Sequence, residues 1–154
     1  NNSVYNNMQL HHLKENSFDV ITLWHVLEHL PNLEMHVYRL ERLLKPNGKI
    51  VVAVPNYKSY DAAYYKSFWA AYDVPRHLWH FTKESIKILF SRYDMKVEKI
   101  LPMKFDAFYV SLLSEKYKTG KINYLRGFWI GIKSNIKALR SGEYSSLIYV
   151  IKKA

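Results

Sequence analysis

From Phe18 to Leu23 apolar and β-branched residues form one short run, and Ile50 to Val54 is apolar at every position. Runs of this length suit strands, and one without alternation suits a central parallel strand covered on both faces. Between them Leu33, Val37, Leu40 and Leu44 recur at i, i+4, i+7 and i+11, which is one stripe of a helix. Pro31 and Asn32 mark its start. Lys45, Pro46, Asn47 and Gly48 mark its end, with Pro and Gly supplying turn angles that other residues resist. Residues 18–56 therefore predict a βαβ unit with a right-handed crossover. Ligands of open parallel sheets lie beyond the carboxyl ends of the strands, which puts Trp24, His25, Pro55 and Asn56 at a cleft.

The later pattern adds two strands and three helices. Thr82 is placed to cap a helix, Glu84 suits its positive end, and Phe81 with Ile86 makes a hydrophobic staple. Ile86, Leu89, Phe90 and Tyr93 supply its buried stripe. Strands follow at 95–101 and 146–152. The 102–145 interval is too long for a hairpin and must carry structure. Phe105 to Lys116 reads as one helix. A second has Leu125, Phe128, Trp129, Ile132, Ile136 and Leu139 on one stripe, with Arg126, Lys133, Lys137 and Arg140 elsewhere on the wheel. Packing on its own domain or on a neighbouring part is the first expectation for that stripe. A basic amphipathic helix over 123–140 also suits peripheral contact with a membrane surface or a lipid-like substrate.

Composition narrows the class. A chain of 154 residues with 49% hydrophobic and 16% aromatic content is globular and fits one domain. It has no cysteine, so a disulfide scaffold and a thiolate metal site are excluded, and a reducing, cytoplasmic setting is the expectation. No apolar run approaches the roughly 18 residues a membrane-spanning helix needs. The chain starts with Asn1 and shows no signal-peptide pattern, as expected of a piece of something longer. Charge is uneven: residues 1–95 hold 11 Lys/Arg against 9 Asp/Glu, and residues 96–154 hold 12 against 4. No nucleic-acid motif accompanies the basic half, so nucleic acid is not expected as a partner.

The strand FDVI leading into VLEHLP, a helix ending LLKPNG, and the strand IVVAVPN together resemble the second half of class I S-adenosylmethionine-dependent methyltransferases. The later DVPRHLWHFT resembles a subgroup of them. The likeness implies the C-terminal half of a Rossmann-like sheet, mostly parallel, whose last strand runs antiparallel between its neighbours, with a helical insertion before it. It implies S-adenosylmethionine as cofactor and a small-molecule or lipid-like acceptor. The family's glycine-rich cofactor turn is absent: the five glycines at 48, 120, 127, 131 and 142 form no such loop. The resemblance therefore implies that the first two strands and the main cofactor grip lie outside this chain, which alone would bind cofactor poorly.

The same likeness nominates residues. Asn7, Trp24, His25 and Val26 would line the cofactor. Residues 57–81, dense in Tyr, Phe and Trp, would cap the active site and select the acceptor. Within it Arg76 would meet an anionic group, and His77 would take a proton from the acceptor, since an imidazole titrates near neutrality. A structural alternative pairs Asp73 with Arg76 and ties the histidines to backbone. His25, Glu28 and His29 would share one helical face and so could hold a divalent metal. Within the family this Glu-His pair orders the loop, and a sulfonium methyl needs no metal to be electrophilic, so none is assigned. A different class of function is a non-catalytic half-domain that dimerises or binds a partner through an exposed sheet edge.

Overall fold

The computed structural model describes Leu10 and residues 12–154. Four strands form one sheet in the order β1 (Phe18–Trp24), β2 (Leu44–Pro55), β4 (Ser146–Lys153), β3 (Met95–Met103). β1 and β2 pair in parallel, with Ile21 opposite Ile50 and Leu23 opposite Val52. β4 runs antiparallel to both β2 and β3, so β1, β2 and β3 share a direction. The carboxyl ends of β2 and β3, at Pro55 and Met103, meet the start of β4, where Ser146 pairs with both, and β1 ends at Trp24 beside Ala53 of β2. This is the α/β sheet, with its reversed last strand, that the sequence resemblance implied.

α1 (Leu33–Leu43) and α3 (Lys83–Ser91) bury Leu33, Val37 and Leu40 and Ile86, Leu89 and Phe90 against Ile50, Val52, Val54, Leu147, Tyr149 and Ile151. Thr82 caps α3 as expected: its Oγ1 accepts from Ser85 N at 3.1 Å, and Ser85 Oγ accepts from Thr82 N at 2.8 Å. Asn32 does not cap α1 through its side chain. It sits at φ 50°, and its carbonyl accepts from the His36 amide and Nδ1. Gly48 likewise has another reason than a turn angle. β2 already begins at Leu44, and a Cβ on Gly48 would lie 2.7 Å from Leu44 Cδ1 and 3.0 Å from the Asp19 carbonyl. The sheet is also less covered than the unbroken apolar run of β2 suggested. Val51, Ile148 and Val150 on the other face are half-buried, and Val20 and Trp24 on the β1 edge are exposed.

A second core joins the segment after β2 to the helices before β4. α2 (Tyr60–Tyr65) and the turns that follow it bury Ala62, Tyr65, Trp69 and Ala70 against Val110 of α4 (Asp106–Thr119) and Ile130 of α5 (Tyr124–Ser141). α4 and α5 are antiparallel. Gly127 lies on Leu112 and Gly131 on Phe108, so close that a Cβ on Gly131 would stand 3.1 Å from the Phe108 Cα. The expected stripe of α5 is therefore corrected. Gly127, Ile130, Gly131, Ser134 and Ala138 are its buried residues, while Leu125, Phe128, Trp129, Ile136 and Leu139 point outward. Small side chains let the two helix backbones approach closely and gain van der Waals contact along their length. Among the described residues no helix is long and apolar enough to cross a membrane.

Candidate functional site

The chain leaves β1 through His25, whose φ of 50° is unusual for a residue with a Cβ and turns the backbone sharply. Its amide still donates to Ala53 of β2 at 2.9 Å. One 3-10 turn, Leu27–His29, follows and buries Leu27 and Glu28 completely. The expected shared helical face of His25, Glu28 and His29 is thus only partly formed. His25 Nδ1 lies 3.2 Å from Glu28 Oε1, but the His29 ring turns the other way, toward residues 76 and 77.

The 57–81 segment is stitched onto that loop. The Glu28 carbonyl accepts from the amides of Leu78 (2.8 Å) and Trp79 (3.3 Å), and Trp79 Nε1 donates to the Leu30 carbonyl at 2.8 Å. His29 Nδ1 donates to the Arg76 carbonyl at 3.0 Å. His77 Nδ1 donates to the Ala71 carbonyl at 2.8 Å, and the His29 and His77 rings meet edge to face at 4.6 Å. The Val74–Pro75 peptide within this corner is cis.

Behind the loop His25 is held from both sides, with Nε2 3.1 Å from Asp106 Oδ2 at the start of α4. Hydrogen bonds to Asp106 and then Glu28 raise its pKa to about 9, against the cost of burial. The imidazolium is therefore a pin between the β1 loop and α4, with neither nitrogen left for a proton transfer. A histidine whose pKa rises on folding stabilises fully below its ordinary value of 6.5 and loses that contribution as pH rises through about 9. With the side chain about one-third exposed, solvent screening reduces the effect to about 1–2 kcal/mol. The melting temperature is expected to fall between pH 6.5 and 9, and His25→Gln should flatten that slope. A slope unchanged by the substitution would assign it to other groups.

A cavity of about 360 Å³ opens at this end of the sheet. His25, Pro55, Asp73, His77, Asp106 and Ser146 are among the residues on its wall, and Arg76 stands at its rim. Of the nominated residues, His25, Arg76 and His77 are brought together here. Trp24 and Val26 are exposed and do not line the cavity, and Asn7 lies outside the described residues. Arg76 is exposed and already committed to Asp73 at 2.6 Å, and His80 Nε2 donates to the Tyr72 carbonyl at 2.9 Å. The structural alternative weighed for this corner is thus present in it, while His77 keeps Nε2 outside hydrogen-bond distance of Asp73 Oδ2, 3.9 Å away. A larger groove of about 640 Å³, walled by Met35, Trp79, Ile88 and Leu89, lies between α1 and α3, away from the strand ends.

Two further carboxylates organise the site without any local sequence signal. Asp106 has only its place in the first turn of a predicted helix to point to it. Asp61, wholly buried, accepts from Trp69 Nε1 (2.7 Å), Ser134 Oγ (2.6 Å) and Ser145 Oγ (2.7 Å). It joins the cap segment to α5 and to the entry of β4.

Comparison with known proteins places this architecture. A family model described as a methyltransferase domain matches residues 2–100. No curated protein matches the sequence. Among solved structures, a SAM-dependent methyltransferase of Thermotoga maritima, described as a possible histamine N-methyltransferase, superposes with a TM-score of 0.61 at 17% identity. That match covers 92% of this chain and 59% of the other. The mitomycin 7-O-methyltransferase MmcR gives 0.57 at 14%, over 94% of this chain and 32% of its own length. The [4+2]-cyclase SpnF gives 0.56 at 12%, over 92% and 51%, so the fold by itself does not fix the reaction. The chain spans less than two-thirds of the length of each of these proteins.

Proposed function

The chain belongs to the methyltransferase-domain family, and on that premise we propose that its protein transfers the sulfonium methyl of S-adenosylmethionine to a small-molecule or lipid-like acceptor. The observation that carries this reading is the cavity at the carboxyl ends of β1, β2 and β3, with the His77 imidazole at its wall. In this reading the chain supplies the acceptor side, because its sequence contains no glycine-rich cofactor turn.

The chemistry asks little of the protein beyond alignment. The acceptor oxygen or nitrogen attacks the methyl carbon in line, the carbon–sulfur bond breaks, and neutral S-adenosylhomocysteine leaves. The acceptor proton goes to a base. His77 suits that role because its Nδ1–H is fixed on the Ala71 carbonyl, which leaves Nε2 as the basic atom. Positioning supplies most of the acceleration, and the stitched 76–79 corner holds the imidazole still. Arg76 would have to exchange Asp73 for an acceptor anion, so its part is acceptor selection. Trp24 and Val26 would reach the cofactor only across the exposed edge of the loop. The direct test is transfer of a labelled methyl from S-adenosylmethionine by the complete protein into fractionated cell extract. Labelled product in an organic or small-molecule fraction is expected, and its absence from every fraction counts against the reading.

The outward face of α5 favours a lipid-like acceptor or a peripheral contact through 123–140. Leu125, Trp129, Ile136 and Leu139 are exposed beside Arg126, Lys133 and Arg140. The protein is expected to float with vesicles containing anionic phosphatidylserine at low salt and to remain behind after Trp129→Asp. No flotation at low salt removes the membrane contact. A second reading, a non-catalytic module that dimerises through the sheet edge, is favoured by β1, which lies at the end of the sheet with Val20 and Trp24 exposed. A concentration-dependent dimer abolished by Val20→Lys would support it.

A further inference from the structure

We propose that Glu28, His29 and His77 form a binding site for one divalent transition-metal cation of the zinc class. A carboxylate oxygen of Glu28 and one ring nitrogen from each histidine lie within 4.8 Å of one another. Three points so spaced have a common point within about 2.8 Å of all, against about 2.0–2.2 Å for zinc bonds to nitrogen and oxygen. Side-chain movements of under about 1 Å would therefore close the shell.

Two independent features point to a ligand there. Glu28 is wholly buried, yet its Oε2 has no hydrogen-bond partner, while Oε1 is taken by His25. A buried carboxylate oxygen left unpaired is costly, and native structures rarely keep one without reason. The imidazoles are also prepared for coordination. Each gives its Nδ1–H to a backbone carbonyl, His29 to Arg76 and His77 to Ala71, so each presents Nε2 with its lone pair. Fixing the far nitrogen in this way is how metal-binding histidines are oriented. His25, itself held by Asp106, orients the Glu28 carboxylate in the same manner. Asp73 Oδ2, 3.9 Å from His77 Nε2, adds negative charge just outside the shell.

Two imidazoles and a carboxylate suit zinc, cobalt or ferrous ions better than magnesium or calcium, which take oxygen-rich shells. Glu28 comes from the floor of the loop, while His29 is exposed, so further coordination positions would open toward the cavity. An ion there would polarise an acceptor hydroxyl at the place where the free imidazole would otherwise deprotonate it. Only that placement rests on the methyl-transfer reading; the site rests on the side chains.

The test is calorimetric titration of zinc chloride into the complete protein after removal of metals with chelator, with cobalt absorption as a second readout. One ion per chain at micromolar affinity or tighter is expected, with a visible cobalt band of a low-coordinate site. Glu28→Gln and His77→Gln should each weaken binding at least tenfold, and His80→Gln should not. His77→Gln alters a half-buried surface residue and keeps the test decisive should Glu28→Gln fail to fold. No saturable binding, or equal binding by all variants, overturns the site. Because neither readout involves methyl transfer, zinc binding without cofactor binding would sink the methyltransferase reading alone, and the reverse result the metal site alone.

Discussion

Replacing Asp61 by Ala is expected to destabilise the protein by about 3–5 kcal/mol, the range for breaking a buried, hydrogen-bonded charge network. The carboxylate is wholly buried, and three donors converge on it from Trp69, Ser134 and Ser145. Hydrogen bonds to a charged group are worth about 1.5–3 kcal/mol each, and they are not additive when they share one acceptor. Truncation leaves an indole N–H and two hydroxyls buried without an acceptor, in addition to a small cavity. Urea unfolding of Asp61→Ala beside Asp19→Ala checks the claim. Asp19, whose side chain is 77% exposed in its pair with Lys45, should change stability by less than about 1 kcal/mol. Equal effects at the two positions would mean that the buried network is not what holds the cap segment. Since Asp61 anchors that segment to α5 and β4, its loss should also loosen the corner that carries His77.

His77→Gln in the complete enzyme is the second large effect, with turnover expected to fall by roughly 10²–10⁴-fold, the range for loss of a positioned acid–base group. The cofactor dissociation constant should stay within a few-fold, because in the proposed reading His77 serves the acceptor and not the cofactor. His80→Gln is the matched control. Its ring also donates to a carbonyl of the same segment, Tyr72, but His80 does not line the cavity. Steady-state kinetics on both variants separate the roles. Unchanged turnover in His77→Gln would return His77 to the structural residues of this corner.

How much of this was legible in the sequence follows from the range of the interactions. The βαβ unit, the Thr82 cap and the strands at 95 and 146 depend on periodicity and neighbours within a turn, and the chain displays both. The orientation of α5 does not, because hydrophobicity alone favours burying Leu125, Phe128 and Trp129. The usable signal was Gly127 and Gly131, four residues apart, with Ser134 and Ala138 continuing the small-residue face. Those glycines lie in a helical pattern and form no cofactor loop, and hydrophobic periodicity does not register their fitness for helix contact. Gly48 misled in a milder way, since it avoids a clash with Leu44 and Asp19 and needs no turn angle. At the site, LEHL and PRHL stood out as separate motifs. That His29 and His77 would meet, or that His25 would reach Asp106, is set by tertiary packing across about 50 and 80 positions of chain, where no local pattern speaks. Asp61 was hidden for the same reason, its partners being spread from Trp69 to Ser145.

The central claim is that this fold serves methyl transfer from S-adenosylmethionine. Calorimetric titration of S-adenosylhomocysteine into the complete protein, and into residues 1–154 alone, tests it most directly. The account predicts saturable one-site binding to the complete protein and weak or no binding to the 154-residue chain, which has no glycine-rich turn. No binding to the complete protein would contradict the cofactor assignment and favour the interaction module. Tight binding to the short chain would contradict the view that the cofactor grip lies elsewhere.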